Sequence, residues 1–305
     1  IFADACTDES GHYRLRGLEM GTYDVYANSE GIYIDAVATG VGATRGSVTT
    51  QNFVLPVGGA MTGHVVDDST GDPVVDLCVY VSGLSGSDYS FGCTDASGNF
   101  IAPGLKGGDY QVMFAGGTDY LTQYYDGATS VTAATPVHVD LGGTVSGIDA
   151  QMHAGSYVTG TVRTQGGDPV RTCVVAHGPT ADEYLASACT DSQGAYRVGP
   201  VPTGPTYVMA YAKGTTVPTW HPNVATADQA VAVDVLDKST VSGVDITMVN
   251  GGSLSGTVTG SPVAPTNPTV DVYSTGQSSF PVGSTDIAPD GTWTVGGLPP
   301  GSYQV

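Results

Sequence analysis

Gly104-Leu105-Lys106-Gly107-Gly108-Asp109-Tyr110-Gln111-Val112 decides the architecture, because the chain writes it more than once. It returns as Gly17-Leu18-Glu19-Met20-Gly21-Thr22-Tyr23-Asp24-Val25 and as Gly297-Leu298-Pro299-Pro300-Gly301-Ser302-Tyr303-Gln304-Val305. A looser copy is Pro200-Val201-Pro202-Thr203-Gly204-Pro205-Thr206-Tyr207-Val208. The four tyrosines lie 87, 97 and 96 residues apart. Two other markers keep the interval. Gly63-His64-Val65, Gly160-Thr161-Val162 and Gly256-Thr257-Val258 step by 97 and 96. Thr144-Val145-Ser146-Gly147-Ile148-Asp149 and Thr240-Val241-Ser242-Gly243-Val244-Asp245 step by 96. One interval carried by three unrelated motifs predicts tandem repeats. Its phase predicts complete units at 58–154 and 155–250, a unit without its front at 1–57, and one without its back at 251–305. The joints Gly58-Gly59, Gly155 and Gly251-Gly252 leave almost no linker, so adjacent units are expected to be held semi-rigidly. Starting at Ile1 and stopping inside a predicted strand, the chain reads as a piece of a longer one.

Within a unit the apolar period is two. Val74–Val81, Tyr110–Phe114 and Pro136–Leu141 read as strands. Asp72-Pro73, Ser97-Gly98, Gly107-Gly108 and Gly142-Gly143 supply turn chemistry between them. No capped stretch of helical period occurs. Some seven short strands in each unit predict an all-β chain of tandem antiparallel β-sandwich repeats of about 96 residues.

The order Gly-x-Val, Gly71-Asp72-Pro73-Val74, Thr94-Asp95-Ala96-Ser97-Gly98-Asn99-Phe100 and Gly104-Leu105 resembles the carboxypeptidase regulatory-like domain, a transthyretin-like (prealbumin-type) sandwich. It is also similar to the B-type stalk domains of Gram-positive adhesins. The resemblance runs along the whole chain and implies a fold more than an activity. Those stalks often carry a Lys–Asn isopeptide bond. Here the lysines are Lys106, Lys213 and Lys238, at unequal repeat positions, so no such crosslink is expected.

The five cysteines fall into two repeat positions. Cys6, Cys93 and Cys189 each precede Thr-Asp, while Cys78 and Cys173 sit on the preceding strand. The fourth unit lacks both, with Ser284 before Thr285-Asp286 and Val270-Asp271-Val272 on its strand. Joint presence and joint absence predict disulfides Cys78–Cys93 and Cys173–Cys189, with an upstream partner for Cys6; buried free thiols are the alternative. No Cys-x-x-Cys pair or neighbouring histidine completes a zinc site. Persistent disulfides imply an oxidising compartment, hence secretion or the cell surface.

Charge removes other classes. Nine Lys+Arg against 29 Asp+Glu give a net charge of −20, and so few cations cannot neutralise a phosphate backbone, so no nucleic acid is expected as partner. No run of 18 apolar residues is present to span a membrane. The six histidines are scattered, and no Gly-x-Ser-x-Gly elbow or phosphate-binding loop occurs. The recurrent Thr-Asp-x-x-Gly lacks the alternating carboxylates of a calcium loop and reads as a turn, with Asp accepting amides and Gly left-handed. No catalytic residue, cofactor or metal is expected. The repeat tyrosines Tyr23, Tyr110, Tyr207 and Tyr303 read as core rings whose hydroxyls tie down a turn. Tyr120, Tyr124 and Tyr125, which correspond to Trp220-His221 one unit later, either fold back over a sheet face or stack on a glycan. Tyr124, Tyr125 and Trp220 are therefore the candidate glycan-facing aromatics.

These readings converge on a non-enzymatic secreted repeat protein of a stalk, surface layer or extracellular fibre. Its partners would be neighbouring repeats and further copies in a filament or coat. The alternatives are a carbohydrate-binding, adhesive module array and the accessory region of an extracellular hydrolase.

Overall fold

The strands pair as a period-two reading requires. The computed structural model describes residues 3–29, 31–180, 183–259, 268–275 and 281–305. Strands dominate it, and the helical segments among these residues are two single 3-10 turns, Val131–Ala133 and Ala227–Gln229. The chain divides into two compact units, one of residues 1–116 and 122–152, the other of 117–121 and 153–305.

In the first unit, strands Gly21–Ala27 and Ala36–Ala43 pair antiparallel. Further along lies a sandwich of two sheets. One is built on Gly59–Asp67 paired with Asn99–Leu105. The other places Cys78–Gly83 between Tyr89–Cys93 and Gly108–Phe114, which also pairs Gln123–Tyr124 and Val137–Val139. Inward residues alternate along each strand: Val79 and Val81, Phe100 and Ala102, Val112 and Phe114 are all at most 4% exposed. Phe100 from one sheet meets Phe114 from the other edge-on at 6.0 Å.

The second unit contains the same pairing order on Ser156–Arg163, Cys173–His177, Tyr184–Cys189, Ala195–Val201 and Gly204–Ala210. Val158, Val174, Tyr196, Val208 and Ile246 share one buried cluster between its sheets. Beyond it, Gly252–Thr257 pairs with Thr292–Leu298, and Thr269–Ser274 lies between Gly283–Asp286 and Tyr303–Gln304.

One pairing departs from the expected antiparallel scheme. The strand that opens each of these two sandwiches is joined in parallel by the segments that close it. Thr144-Val145 lies beside Ala60-Met61, and Ala150–Met152 beside Val65–Asp67. Thr240-Val241 and Ile246-Thr247 do the same on Tyr157-Val158 and Val162-Arg163. The break between each pair of segments is the Ser-Gly-Ile/Val-Asp part of the repeated hexapeptide, and it crosses the Gly-x-Val of the first strand. There the amide of Ile148 donates to Thr62 O (3.1 Å), and Asp149 accepts the His64 amide (2.8 Å). In the next sandwich Val244 N–H donates to Thr159 O (3.1 Å), and Asp245 accepts the Thr161 amide (2.8 Å). Two motifs found separately in the sequence are thus one contact. Its glycines are required because a β-carbon on Gly63 or Gly160 would lie 2.5 Å from the carbonyl carbon of Ile148 or Val244.

Three of the four repeat tyrosines behave alike. Tyr110 hydroxyl donates to Lys106 O (2.9 Å), Tyr23 to Glu19 O (3.0 Å) and Tyr303 to Pro299 O. Tyr207 is different and corrects the repeat register read from the sequence. Its 97-residue step from Tyr110 is one longer than the offset of 96 that the pairing gives this strand, and a one-residue slip turns a strand side chain to the opposite face. Thr206, 1% exposed, takes the inward place, while Tyr207 packs outside against Val175, Met209 and Trp220. Removal of the hydroxyl by Tyr110→Phe is expected to cost about 1 kcal/mol in urea unfolding. The same change at Tyr207 should leave the midpoint where it is.

The turn expected at Thr285-Asp286 is also displaced from its predicted place. Thr269 pairs with Asp286 as Cys78 does with Cys93, so the positions without cysteine are Thr269 and Asp286 rather than the Val270–Val272 strand and Ser284. The turn itself is built on Asp290-Gly291, where Asp290 accepts the Thr292 amide at 3.0 Å and Gly291 has φ +83°.

Candidate functional site

The Cys-Thr-Asp-x-x-Gly motif has a division of labour that accounts for every position without a ligand. Cys78 and Cys93 face each other across antiparallel strands and are bonded, as are Cys173 and Cys189. Cys6 is exposed and has no bonded cysteine among the described residues. Thr94 is 2% exposed, and its hydroxyl accepts the Leu77 amide at 2.9 Å; Thr190 does the same for Thr172 at 2.9 Å. Asp95 Oδ1 accepts the amides of Ser97 (2.8 Å) and Asn99 (2.9 Å), and Asp191 those of Gln193 (2.8 Å) and Ala195 (2.9 Å). These amides hold the Asp95 carboxyl below the ordinary aspartate range, the bond from Asn99 most. Gly98 and Gly194 sit at φ +77°. Among the described residues no group of three or more His, Cys, Asp or Glu is arranged to hold a metal ion.

The bridges close loops of 15 and 16 residues, so each is worth about 3 kcal/mol by chain entropy. The double variant Cys173→Ser, Cys189→Ser should lose that amount in thermal or urea unfolding. Mild reduction of the native chain, which opens both bridges, should cost the sandwich that holds Cys173 and Cys189 the same amount and should not destabilise that sandwich further in the double variant.

The sequence-derived aromatics come to different environments. Tyr124 lies on Gln123–Tyr124, opposite Met113, and is half-buried; its amide and carbonyl both bond to Ala128. Tyr125 is half-buried and its amide donates to Val112 O (2.9 Å). Trp220 is 8% exposed. It packs on Val175 and Met209, with Tyr207, Val224, Ala227 and Ala230 around it, and its ring lies 5.0 Å from that of His177. Trp220 therefore has no open ring face for a sugar. Residues 221–230 fold back over the sheet and bury it, the other outcome that the sequence left open.

A different set of rings is open. On the outward face of the sheet in the first unit, Tyr80, Tyr89 and Phe91 form a triangle. Tyr80 lies 6.1 Å from Tyr89 and 6.2 Å from Phe91, and Tyr89 lies 6.2 Å from Phe91. The interplanar angles are 26° to 34°. Tyr89 and Phe91 are 56% and 55% exposed, and Tyr80 is half-buried. Strand alternation explains the triangle: Val79 and Val81 point inward, so Tyr80 points out, and its cross-strand partner Phe91 points out with it. The row continues through Met113 to Tyr124. These residues escaped the sequence reading because they sit on strands, where aromatics read as core. The usable signal was Tyr80 between two valines. Asp88, next to Tyr89, is paired with Lys106 at 2.5 Å, a bond that raises the lysine above its ordinary range.

No protein family and no curated protein matches the chain. Among solved structures it is similar to the Bacillus anthracis TIE protein, at 13% identity and a TM-score of 0.26 over 97% of this chain and 59% of that one. A streptococcal ancillary pilin gives 11% and 0.30, over 77% of this chain and 80% of the pilin. The minor pilin of Streptococcus agalactiae gives 12% and 0.31, over 68% and 99%. Matches at this identity and superposition assign neither a family nor a function. What the chain's own structure establishes is its class: all-β, built of sheets packed face to face, and carrying two cross-strand disulfides.

Proposed function

We propose that this chain is a non-enzymatic extracellular structural protein, a spacer or fibre segment assembled from units at 1–57, 58–154, 155–250 and 251–305. The observation that carries the reading is the bonding of the joints. Gly58 N–H donates to Ile32 O (2.7 Å), and Ile34 N–H to Pro56 O (2.9 Å). In the second unit, Gly155 donates to Asp119 O and Leu121 to His153 O, both at 2.9 Å. There too Gly251 donates to Thr215 O and Val217 to Val249 O, again at 2.9 Å. Each joint segment is thus paired with a loop as a short antiparallel bridge, where an ordinary linker would be left to solvent. Inside each compact unit, a joint bonded as at Gly58 or Gly251 limits local bending, which a spacer needs and a tether for an independent domain does not. The recurring strand order and the two disulfides support the same reading, the latter through the oxidising compartment they require.

Amide exchange tests it. Gly58, Gly155 and Gly251 should exchange with protection comparable to strand amides, and the protein should be recovered from the cell surface or medium with Cys78, Cys93, Cys173 and Cys189 resistant to alkylation. Fast exchange at all three glycines, or recovery from the cytosol with five free thiols, overturns the reading. Self-association into a filament or coat is part of the proposal. A net charge of −20 opposes contact between copies, so light scattering by assemblies should rise with salt.

A further inference from the structure

We propose that the open face carrying Tyr80, Tyr89 and Phe91 binds an uncharged polysaccharide, with the aromatic rings stacking on its sugar rings. Two properties of the face select this occupant. The first is charge. Outward positions from the Cys78–Cys93 bridge through Tyr80, Phe91, Ser82, Tyr89 and Gln111 carry no charged group, in a protein with 29 acidic residues. Two flanking carboxylates are paired, Asp88 with Lys106 at 2.5 Å and Asp109 with His138 at 2.7 Å. An anionic polymer or a second copy of this chain meets the repulsion of the −20 net charge, whereas a neutral polyol does not. The second property is shape. Three rings 6.1 to 6.2 Å apart and tilted by 26° to 34° make one apolar patch, two of them carry phenol hydroxyls, and Ser82 stands opposite Tyr89, so apolar ring faces adjoin hydrogen-bonding groups. A sugar ring has the same two aspects, an apolar C–H face and a hydroxylated rim. Exposed apolar patches bounded by polar groups are characteristic of binding surfaces.

On the corresponding face of the second unit the centre is closed, while Tyr184 at its edge stays exposed. There Ser187 stands opposite Val175, and Val175, Met209 and Trp220 are covered by the chain's own segment. Both faces start from the same strand pairing, and the first carries Tyr80 and Phe91 where the second has Val175 and Ser187.

The test uses the full chain in depletion assays on microcrystalline cellulose, chitin and insoluble β-glucan, with polygalacturonate as an anionic control. The native chain should bind at least one of the three neutral polymers and not the anionic one. The double variant Tyr89→Ala, Phe91→Ala should weaken that binding at least tenfold. Tyr184→Ala, an exposed tyrosine of the other face, should leave it unchanged. Far-ultraviolet circular dichroism and the unfolding midpoint show whether the double variant is folded. Because both rings are exposed, it should be, and Tyr89→Phe should retain most of the binding. Failure of the native chain on all three neutral polymers overturns the proposal, as does undiminished binding by the double variant. It also fails if the double variant abolishes self-association without touching polysaccharide, which would identify a second copy as the occupant. None of these outcomes alters the exchange behaviour of the joints, so the spacer reading stands or falls separately.

Discussion

Gly160→Val is expected to destabilise the sandwich of the second unit by at least about 4 kcal/mol, the range reserved for changes that a core cannot absorb. The reason is backbone against backbone. A β-carbon at Gly160 would stand 2.5 Å from the Val244 carbonyl carbon and 3.1 Å from the Tyr196 ring. Neither can withdraw cheaply. Val244 N–H is bonded to Thr159 O, and the Tyr196 hydroxyl donates to the Val244 carbonyl itself at 2.6 Å. Tyr196 is also buried enough that its phenol is pushed well above the ordinary tyrosine range, chiefly by desolvation. A side chain at Gly160 therefore breaks the parallel pairing of Ile246-Thr247 and leaves buried groups without partners. Urea unfolding followed by tryptophan fluorescence measures the loss. Gly42 is the control, since a β-carbon added there would meet nothing within 4 Å; Gly42→Ala should shift stability by under about 1 kcal/mol. A Gly160→Val protein of native midpoint would mean that the closing segment does not cross the first strand as described.

Trp220→Ala is expected to cost about 4 kcal/mol, the usual loss for a buried indole, and to leave polysaccharide binding untouched. Val175 and Met209 are 1% and 8% exposed because Trp220 and the segment 221–230 lie over them, so truncation opens a cavity on the outer face. Trp220→Phe should recover more than half of the loss by filling most of that space. The outcome that would reverse this assignment is a folded Trp220→Ala protein of native midpoint that no longer binds a neutral polymer.

Much of the fold is legible in the chain's own repetition. The interval between Gly63, Gly160 and Gly256, the period-two strands and the paired cysteines are all local or self-referential features, and strand class and cross-strand partners depend on such features. The Thr-Asp-x-x-Gly turn is equally legible, since its hydrogen bonds run between residues two and four apart. Errors come where one residue of register matters. Tyr207 shares its neighbours' spacing to within a single position, yet that position decides between core and outer face. The turn at Asp290 is misplaced for the same reason, because the Thr285-Asp286 dipeptide imitates the motif inside a strand.

The candidate site is less legible, and the aromatics show why. Trp220 and Tyr89 look alike in sequence: each is an aromatic beside polar and small residues. Exposure is set by what the rest of the chain lays over a side chain, and that depends on contacts that spacing does not encode. Residues 221–230 cover Trp220, while no comparable cover reaches Tyr89 and Phe91, which stand 56% and 55% exposed. Periodicity and short-range geometry were enough to specify strand class, the Thr94 and Thr190 turns and the disulfide partners, so these could be written down from the residues. Packing between segments distant in sequence settled the rest: which motifs touch, that Gly63 must yield space to the Ile148 carbonyl, that the closing strands run parallel, and which rings remain open to a ligand.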